Sequence, residues 1–340
     1  MEKVELCAPA GNLPSLKAAV DAGADAVYVG FAGETNLRNF PGLNFTEENI
    51  REGVRYAHRH GKKVFVAVNA YPQRNEIAEA RRAVDGAYEA EADAVIASDF
   101  AVLSYAREHY PDRRLHLSVQ ASASTAEAIE FYRTHFGIRR VVLPRVLTVE
   151  EIQAIREKSE VELEVFASGL LCINTEGQCF LSAYITSESI NTYGACSHPK
   201  FVQFSELSAE PGGGQGDRLR VVSNGVLLNE YRSDEDTAYP TPCKGRYVNR
   251  ITGRVDYAIQ DPESLNILEI LPRVLSAGIH SLKIEGRQRG RSYVETMVRT
   301  YRQALDACYG GTYDPESFAR TGLNTAFEGA APSIGCYGGK

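Results

Sequence analysis

Short, largely apolar runs rich in β-branched residues alternate with amphipathic stretches along most of the chain. "VELCAP" at 4–9 is the first, and "ADAVYVGF" at 24–31, "KKVFVAVNAY" at 62–71, "ADAVIAS" at 92–98, "RLHLSVQAS" at 114–122, "RRVVLPR" at 139–145 and "VELEVFASG" at 161–169 follow. An eighth run, "HSLKIEG" at 280–286, comes only after a long interruption. Such runs read as strands.

The intervening segments carry helix signals. One helix opens at Asn12 with Pro14 in its first turn, where a missing N–H costs little. Another starts at Thr46 and places Ile50, Val54 and Ala57 on one face. Ser124 with Glu127, and Thr148 with Glu151, have the spacing of capping boxes. After the eighth run, Val294, Met297, Tyr301, Leu305 and Cys308 share one helical face.

Eight strands separated by helices imply a parallel sheet covered on its outer face. The count favours a closed (β/α)8 TIM-like barrel over an open doubly wound sheet. The recurrence of "ADAV" at 24 and at 92 is a faint internal repeat of two βα units. The expected organisation is a barrel over 1–310, interrupted at 170–262 between strands seven and eight, and a C-terminal tail at 311–340. Within the interruption, "AEPGGGQG" at 209–216 reads as a turn or mobile loop, and Asn224-Gly225 between apolar runs signals a hairpin.

Composition changes this picture little. The 340 residues are 44% hydrophobic and 24% charged, which is ordinary globular material. A formal charge of −7 gives no broad attraction to phosphate backbones, so nucleic acid is not the expected partner unless a local basic patch exists. No signal peptide is evident and no run is long and apolar enough to span a membrane, so a cytoplasmic location is expected. In a reducing compartment, clustered cysteines point to metal ligation or redox chemistry more than to cross-links.

Three of the seven cysteines fall in "GLLCINTEGQCFLSAYITSESINTYGACSHPK" at 169–200, and a fourth lies in "YPTPCKGRY". Cys172, Cys179, Cys196 and Cys243 have 6, 16 and 46 residues between them. That spacing lacks the paired knuckles of structural zinc sites. Four thiolates still meet the ligand requirement of an iron–sulfur cluster. The spacing favours a metal site over inert thiols and leaves zinc and cluster open. Cys7 reads as a buried strand residue, Cys308 as part of an apolar helix face, and Cys336 is unassigned.

In a barrel the active site belongs at the C-terminal strand ends, and the interruption leaves strand seven from that end. Polar residues there are Asn36, Arg38, Asn69, Gln120, Arg145, Lys283, Glu285 and Arg287. Three arginines and a lysine around one mouth suit an anionic substrate. Glu285 is expected to pair with Arg287 or Lys283.

At these residues a resemblance appears. The pattern Glu164-x-Phe166-x2-Gly169-x-Leu171-Cys172-x4-Gly177-x-Cys179-x-Leu181-Ser182 resembles the signature of the collagenase-like peptidase family U-32, departing at Leu170, where Ser or Ala is usual. "CAPAGNLPSLKAAVDAGADAVYVG", "SVQASAS", "VVLPRVLT", "YPTPCKGRY" and "SLKIEGRQR" extend the likeness and are similar to the ubiquinone-biosynthesis branch of that family. RNA-acting members carry additional C-terminal regions, which are not expected here.

The resemblance implies a 4Fe-4S cluster on Cys172, Cys179, Cys196 and Cys243. It implies a heterodimer with UbiV, with the lipid-binding protein UbiT as accessory. The implied reaction is oxygen-independent hydroxylation of a ubiquinone precursor, with prephenate as oxygen donor and Arg38, Arg145 and Arg287 as holders of its carboxylates. A prephenate-dependent RNA hydroxylase, a collagenase-like peptidase and a non-catalytic scaffold are the alternatives. No nucleophile with an oriented base stands out for the peptidase.

Overall fold

The computed structural model of the chain describes residues 3–39, 42–194, 196–207, 217–235, 237, 239–319 and 331–339. The expected turn at 209–216 lies outside them.

The first half builds seven parallel strands: β1 (Glu5–Pro9), β2 (Ala26–Gly30), β3 (Lys63–Val68), β4 (Ala94–Ala97), β5 (Arg114–Leu117), β6 (Arg140–Val142) and β7 (Glu162–Leu170). Between β7 and the strand that closes the ring come an antiparallel sheet of β8 (Val202–Leu207), β9 (Arg218–Ser223) and β10 (Val226–Arg232), then the ribbon β11 (Arg246–Val248) with β12 (Val255–Tyr257). Strand β13 (Glu263–Asn266) lies antiparallel on the end of β7. Strand β14 (Ser281–Ile284) then pairs in parallel with both β1 and β7, which closes the barrel. The segment expected as a tail contributes β15 (Ala331–Ser333), paired with β13, and the buried Tyr337, whose hydroxyl donates to the Phe166 carbonyl.

Helices α1 (Leu13–Asp21), α2 (Glu47–Arg59), α3 (Ile77–Glu89), α4 (Phe100–His109), α5 (Ala126–Phe136), α6 (Val149–Lys158), α9 (Leu271–Ser276) and α10 (Arg291–Gly310) follow the barrel order, with the short α7 (Leu181–Thr186) and α8 (Ile190–Tyr193) in the interruption and α11 (Pro315–Ala319) near the end. Their starts obey local chemistry. Asn12 Oδ1 accepts from the Ser15 amide at 3.0 Å, and Thr46 Oγ1 from the Asn49 amide at 3.2 Å. Thr148 and Glu151 form the reciprocal box at 2.8 and 3.1 Å. For α5 the cap is Thr125, one residue after Ser124: its hydroxyl accepts from the Ala128 amide, in the register that buries Ile129.

The "ADAV" repeat has a physical basis. Asp25 Oδ2 accepts from the Leu6 amide at 3.0 Å, and Asp93 Oδ2 from the Val64 amide at 2.7 Å. Each aspartate thus satisfies a strand amide on the preceding odd-numbered strand.

Alternation along the strands sorts residues between two cores. Leu6, Val27, Val64, Val66, Val95, Leu163 and Leu282 pack in the large core that includes Leu16, Val54 and Val84 of the helices. Cys7, Ala26, Tyr28, Phe65, Ala94 and Ile96 form a separate cluster inside the barrel. Fully buried Cys7 and the half-buried Cys308 packed on the large core agree with the sequence reading.

The barrel's interior also holds an ionic layer. Lys283 Nζ donates to Glu164 Oε1 at 2.6 Å, and Arg140 binds Glu164 Oε2 at 3.0 Å as well as Glu5 and Glu162. Glu164 is 1% exposed, so its charge is stabilised by these partners instead of by water. Burial pushes its carboxyl up, but Lys283 and Arg140 outweigh that and leave it below the usual range.

Candidate active site

The C-terminal strand ends of the barrel frame a small cavity of about 90 Å³. Arg38, Asn69, Gln120, Arg145, Lys283, Glu285 and Arg287 all line it, together with Tyr28, Ser118, Phe166 and Glu176. Seven of the eight polar residues expected at the mouth therefore meet at one cavity. The eighth, Asn36, is buried behind them and accepts from Arg287 Nη2 at 3.0 Å.

The ion pairing differs from expectation. Glu285 pairs with neither Arg287 nor Lys283. Its Oε1 accepts from Arg38 Nη2 at 3.1 Å and its Oε2 from Arg145 Nη2 at 2.6 Å. Lys283 is turned down the barrel to Glu164. The reason is position along the chain: Lys283 lies within β14, whereas Glu285 follows its last residue at the rim, within reach of the arginines that follow β2 and β6. Burial pushes the Glu285 carboxyl up, yet Arg145 and Arg38 hold it below its ordinary value.

Sequence reading missed Glu176. It is the only charged residue in 169–187, which was the available signal. Its Oε1 accepts from Arg145 Nη1 at 2.5 Å, and Ser122 Oγ donates to its carbonyl. Burial keeps its carboxyl above the usual range despite Arg145.

Among the charged lining residues, Arg287 stands apart. It is 5% exposed and no carboxylate bonds it; its Nη1 is buried without a hydrogen-bond partner. Burial pushes its guanidinium down to about 10, and nearby Arg38 adds repulsion. Arg145 Nε is likewise buried and unpartnered, with the guanidinium seated 3.6 Å over the Phe166 ring. Arg287 and Arg145 both line the cavity, and each keeps one buried guanidinium nitrogen unpartnered, which is costly unless an acceptor reaches it.

The cysteine loops are fastened to the same rim. The loop from Cys172 to Cys179 carries Glu176, held by Arg145, and Gly177, whose carbonyl accepts from Asn191 Nδ2 at 2.8 Å. Gly177 has a φ of 87°, and a methyl there would collide with the Gln120 carbonyl. The approach to Cys196 is held by Arg38 Nη1, which donates to the Gly194 carbonyl at 2.9 Å.

Burial pushes the Cys172 thiol up to about 12 and the Cys196 thiol up to about 11. The charges that act on Cys196 include Arg38, Cys179 and Cys243, and Cys196 in turn acts on Cys172, so the four thiols share one neighbourhood. Cys179 Sγ accepts from Asn174 Nδ2 at 3.5 Å, and Cys243 Sγ lies 3.2 Å from Thr241 Oγ1. Among the described residues no three Cys, His, Asp or Glu side chains close around a single metal ion. A four-iron cluster is held by four cysteine sulfurs, and Cys172, Cys179, Cys196 and Cys243 are the residues that would hold one here.

The description of peptidase family U32 matches residues 11–330 of the chain. Among its relatives, tRNA hydroxylation protein P1 of Bacillus subtilis is 33% identical over 93% of this chain and 66% of its own length. Collagenase of Porphyromonas gingivalis is 32% identical over 93% of this chain and 69% of its own. The 23S rRNA 5-hydroxycytidine C2501 synthase of Escherichia coli is 30% identical over 90% of this chain and 40% of its own. The chain spans about two thirds of the first two of these proteins.

Proposed function

Since the chain belongs to peptidase family U32, whose members include proteins named for hydroxylation, we propose that it is an iron–sulfur hydroxylase subunit acting without dioxygen on a ubiquinone precursor. The observation that carries the reading is Arg287 Nη1, a buried guanidinium nitrogen with no partner, in a cavity whose rim also anchors the cysteine loops.

In this reading Cys172, Cys179, Cys196 and Cys243 hold a 4Fe-4S cluster, which supplies electron transfer or Lewis acidity. Arg287 Nη1 and Arg145 Nε donate to the carboxylate of a small oxygen donor, with prephenate the proposed compound. Asn36 aims Arg287, and Glu285 keeps Arg38 and Arg145 at the rim. UbiV is the proposed heterodimer partner and UbiT the proposed lipid-binding accessory, in the cytoplasm.

A second reading is hydroxylation of RNA by the same site, favoured by the relative named as a tRNA hydroxylation protein. The net charge of −7 weighs against it. A peptidase draws less support: the cavity lining offers the hydroxyl of Ser118 but no histidine as its base.

Deleting the gene and growing the cells anaerobically separates these readings. Accumulation of unhydroxylated quinone intermediates with intact RNA supports the first. Normal quinone with missing hydroxylated nucleotides supports the second. Anaerobic purification with iron, sulfide and zinc analysis tests the cofactor, and stoichiometric zinc without iron would sink the cluster.

A further inference from the structure

Arg145 is held on three sides. Nη1 binds Glu176 of the Cys172–Cys179 loop, Nη2 binds Glu285, and the guanidinium face rests on Phe166. Only Nε is unpartnered, and Arg145 lines the cavity. Glu285 passes the connection on: its other oxygen binds Arg38, whose Nη1 binds the Gly194 carbonyl two residues before Cys196. The cavity rim and both cysteine loops are therefore joined by one continuous set of ion pairs and hydrogen bonds.

The pairing around the cavity is uneven. Arg38 and Arg145 are paired with Glu285 and Glu176, and Lys283 is paired with Glu164, but no carboxylate pairs with Arg287, whose Nη1 is buried without a partner. A single carboxylate in the cavity would supply that partner. It would also displace water from beside Arg145, and ion pairs in a drier surrounding are stronger.

We propose that binding of one carboxylate group of a small organic acid at Arg287 and Arg145 tightens both cysteine loops on the barrel, with Glu176 carrying the effect to Cys172 and Cys179, and Glu285 with Arg38 carrying it to Cys196. Glu176, Glu285 and Arg38 are positioning residues in this scheme. It rests on the anion cavity of the proposed function but needs neither hydroxylation nor a partner.

The test is residue-resolved thiol labelling of the full chain, purified anaerobically, with a maleimide and mass spectrometry. Acetate is titrated at constant ionic strength, and Cys308 serves as the internal reference. In the unsubstituted protein, acetate is expected to slow labelling of Cys172, Cys179 and Cys196 about tenfold, within the usual range of coupling between two sites, and to leave Cys308 unchanged. The same holds whether the thiols bear metal, because labelling then reports metal release.

Glu176→Gln is expected to lose protection at Cys172 and Cys179 and keep it at Cys196. Arg38→Gln is expected to show the reverse, and Arg287→Gln to lose all of it. Cys308 labelling at the unsubstituted rate certifies a folded variant. Acetate that binds without slowing any of the three cysteines overturns the proposal, as does protection in Glu176→Gln equal at all three. Either result leaves the hydroxylase reading standing, which the quinone and RNA analysis decides separately.

Discussion

Arg287 donates through Nη2 to Asn36 Oδ1 at 3.0 Å while its Nη1 is buried without a partner. A neutral amide aims the guanidinium but does not neutralise it. The residue is therefore kept at a cost to stability, which is the pattern of a binding group.

Replacing Arg287 by Met should separate the two effects. Removing an uncompensated buried charge is expected to leave the thermal midpoint unchanged or raise it, by about 1–3 kcal/mol of stability, while binding of small carboxylates is lost. The sign with pH follows from a folded value pushed down to about 10, below that of the unfolded chain. The penalty is fully present below about 10 and is relieved as pH rises above it. The stability advantage of the variant should accordingly shrink in alkaline melts. A variant that melts lower and still binds carboxylates would contradict this.

Glu164 works the other way. It is buried between Lys283 and Arg140, and its removal strands Lys283 and takes away one of the three carboxylates that Arg140 binds. Glu164→Gln is expected to cost about 3–5 kcal/mol in urea unfolding at neutral pH. Because the folded carboxyl lies below its unfolded value, its stabilisation is present above the unfolded value and is lost as pH falls through the folded one. The gap between the two proteins should close in acid. A gap that widens in acid would refute the assignment.

For the thiols, Ala at Cys172, Cys179, Cys196 or Cys243 is expected to abolish the visible absorption of anaerobically purified protein, whereas Cys308→Ala leaves it intact. Iron and sulfide analysis of each variant reads the outcome. Full iron content in any one of the four removes that residue from the ligand set.

Gly177→Ala and Gly194→Ala offer a test without touching a thiol. Their φ values are 87° and 85°, and an added methyl would strike the Gln120 carbonyl in one and the Leu37 carbonyl in the other. Each loop must shift off the barrel rim. Loss of bound metal is expected, with the barrel's far-UV circular dichroism preserved. Metal retained at the level of the unsubstituted protein in both variants would show that the loops need not lie where they do.

The barrel was legible in the chain's local signals. Eight apolar runs, the caps at Asn12, Thr46 and Thr148, and the apolar face of α10 are local signals, written in spacing and side-chain type, and they survive in the structure. The sequence also placed seven of eight mouth residues at one cavity, because the end of each strand is a fixed position in such a fold. Which charges cancel is settled instead by the closing of the ring. Glu162 and Glu164 alternate with apolar residues and look like a solvated face, but in a closed ring that face is the interior, where Arg140 and Lys283 meet them. Glu285 reaches across the ring to Arg38 and Arg145, 247 and 140 residues away. Pairing at that separation depends on ring closure, which no local pattern records, and it leaves Arg287 as the cavity's uncompensated charge.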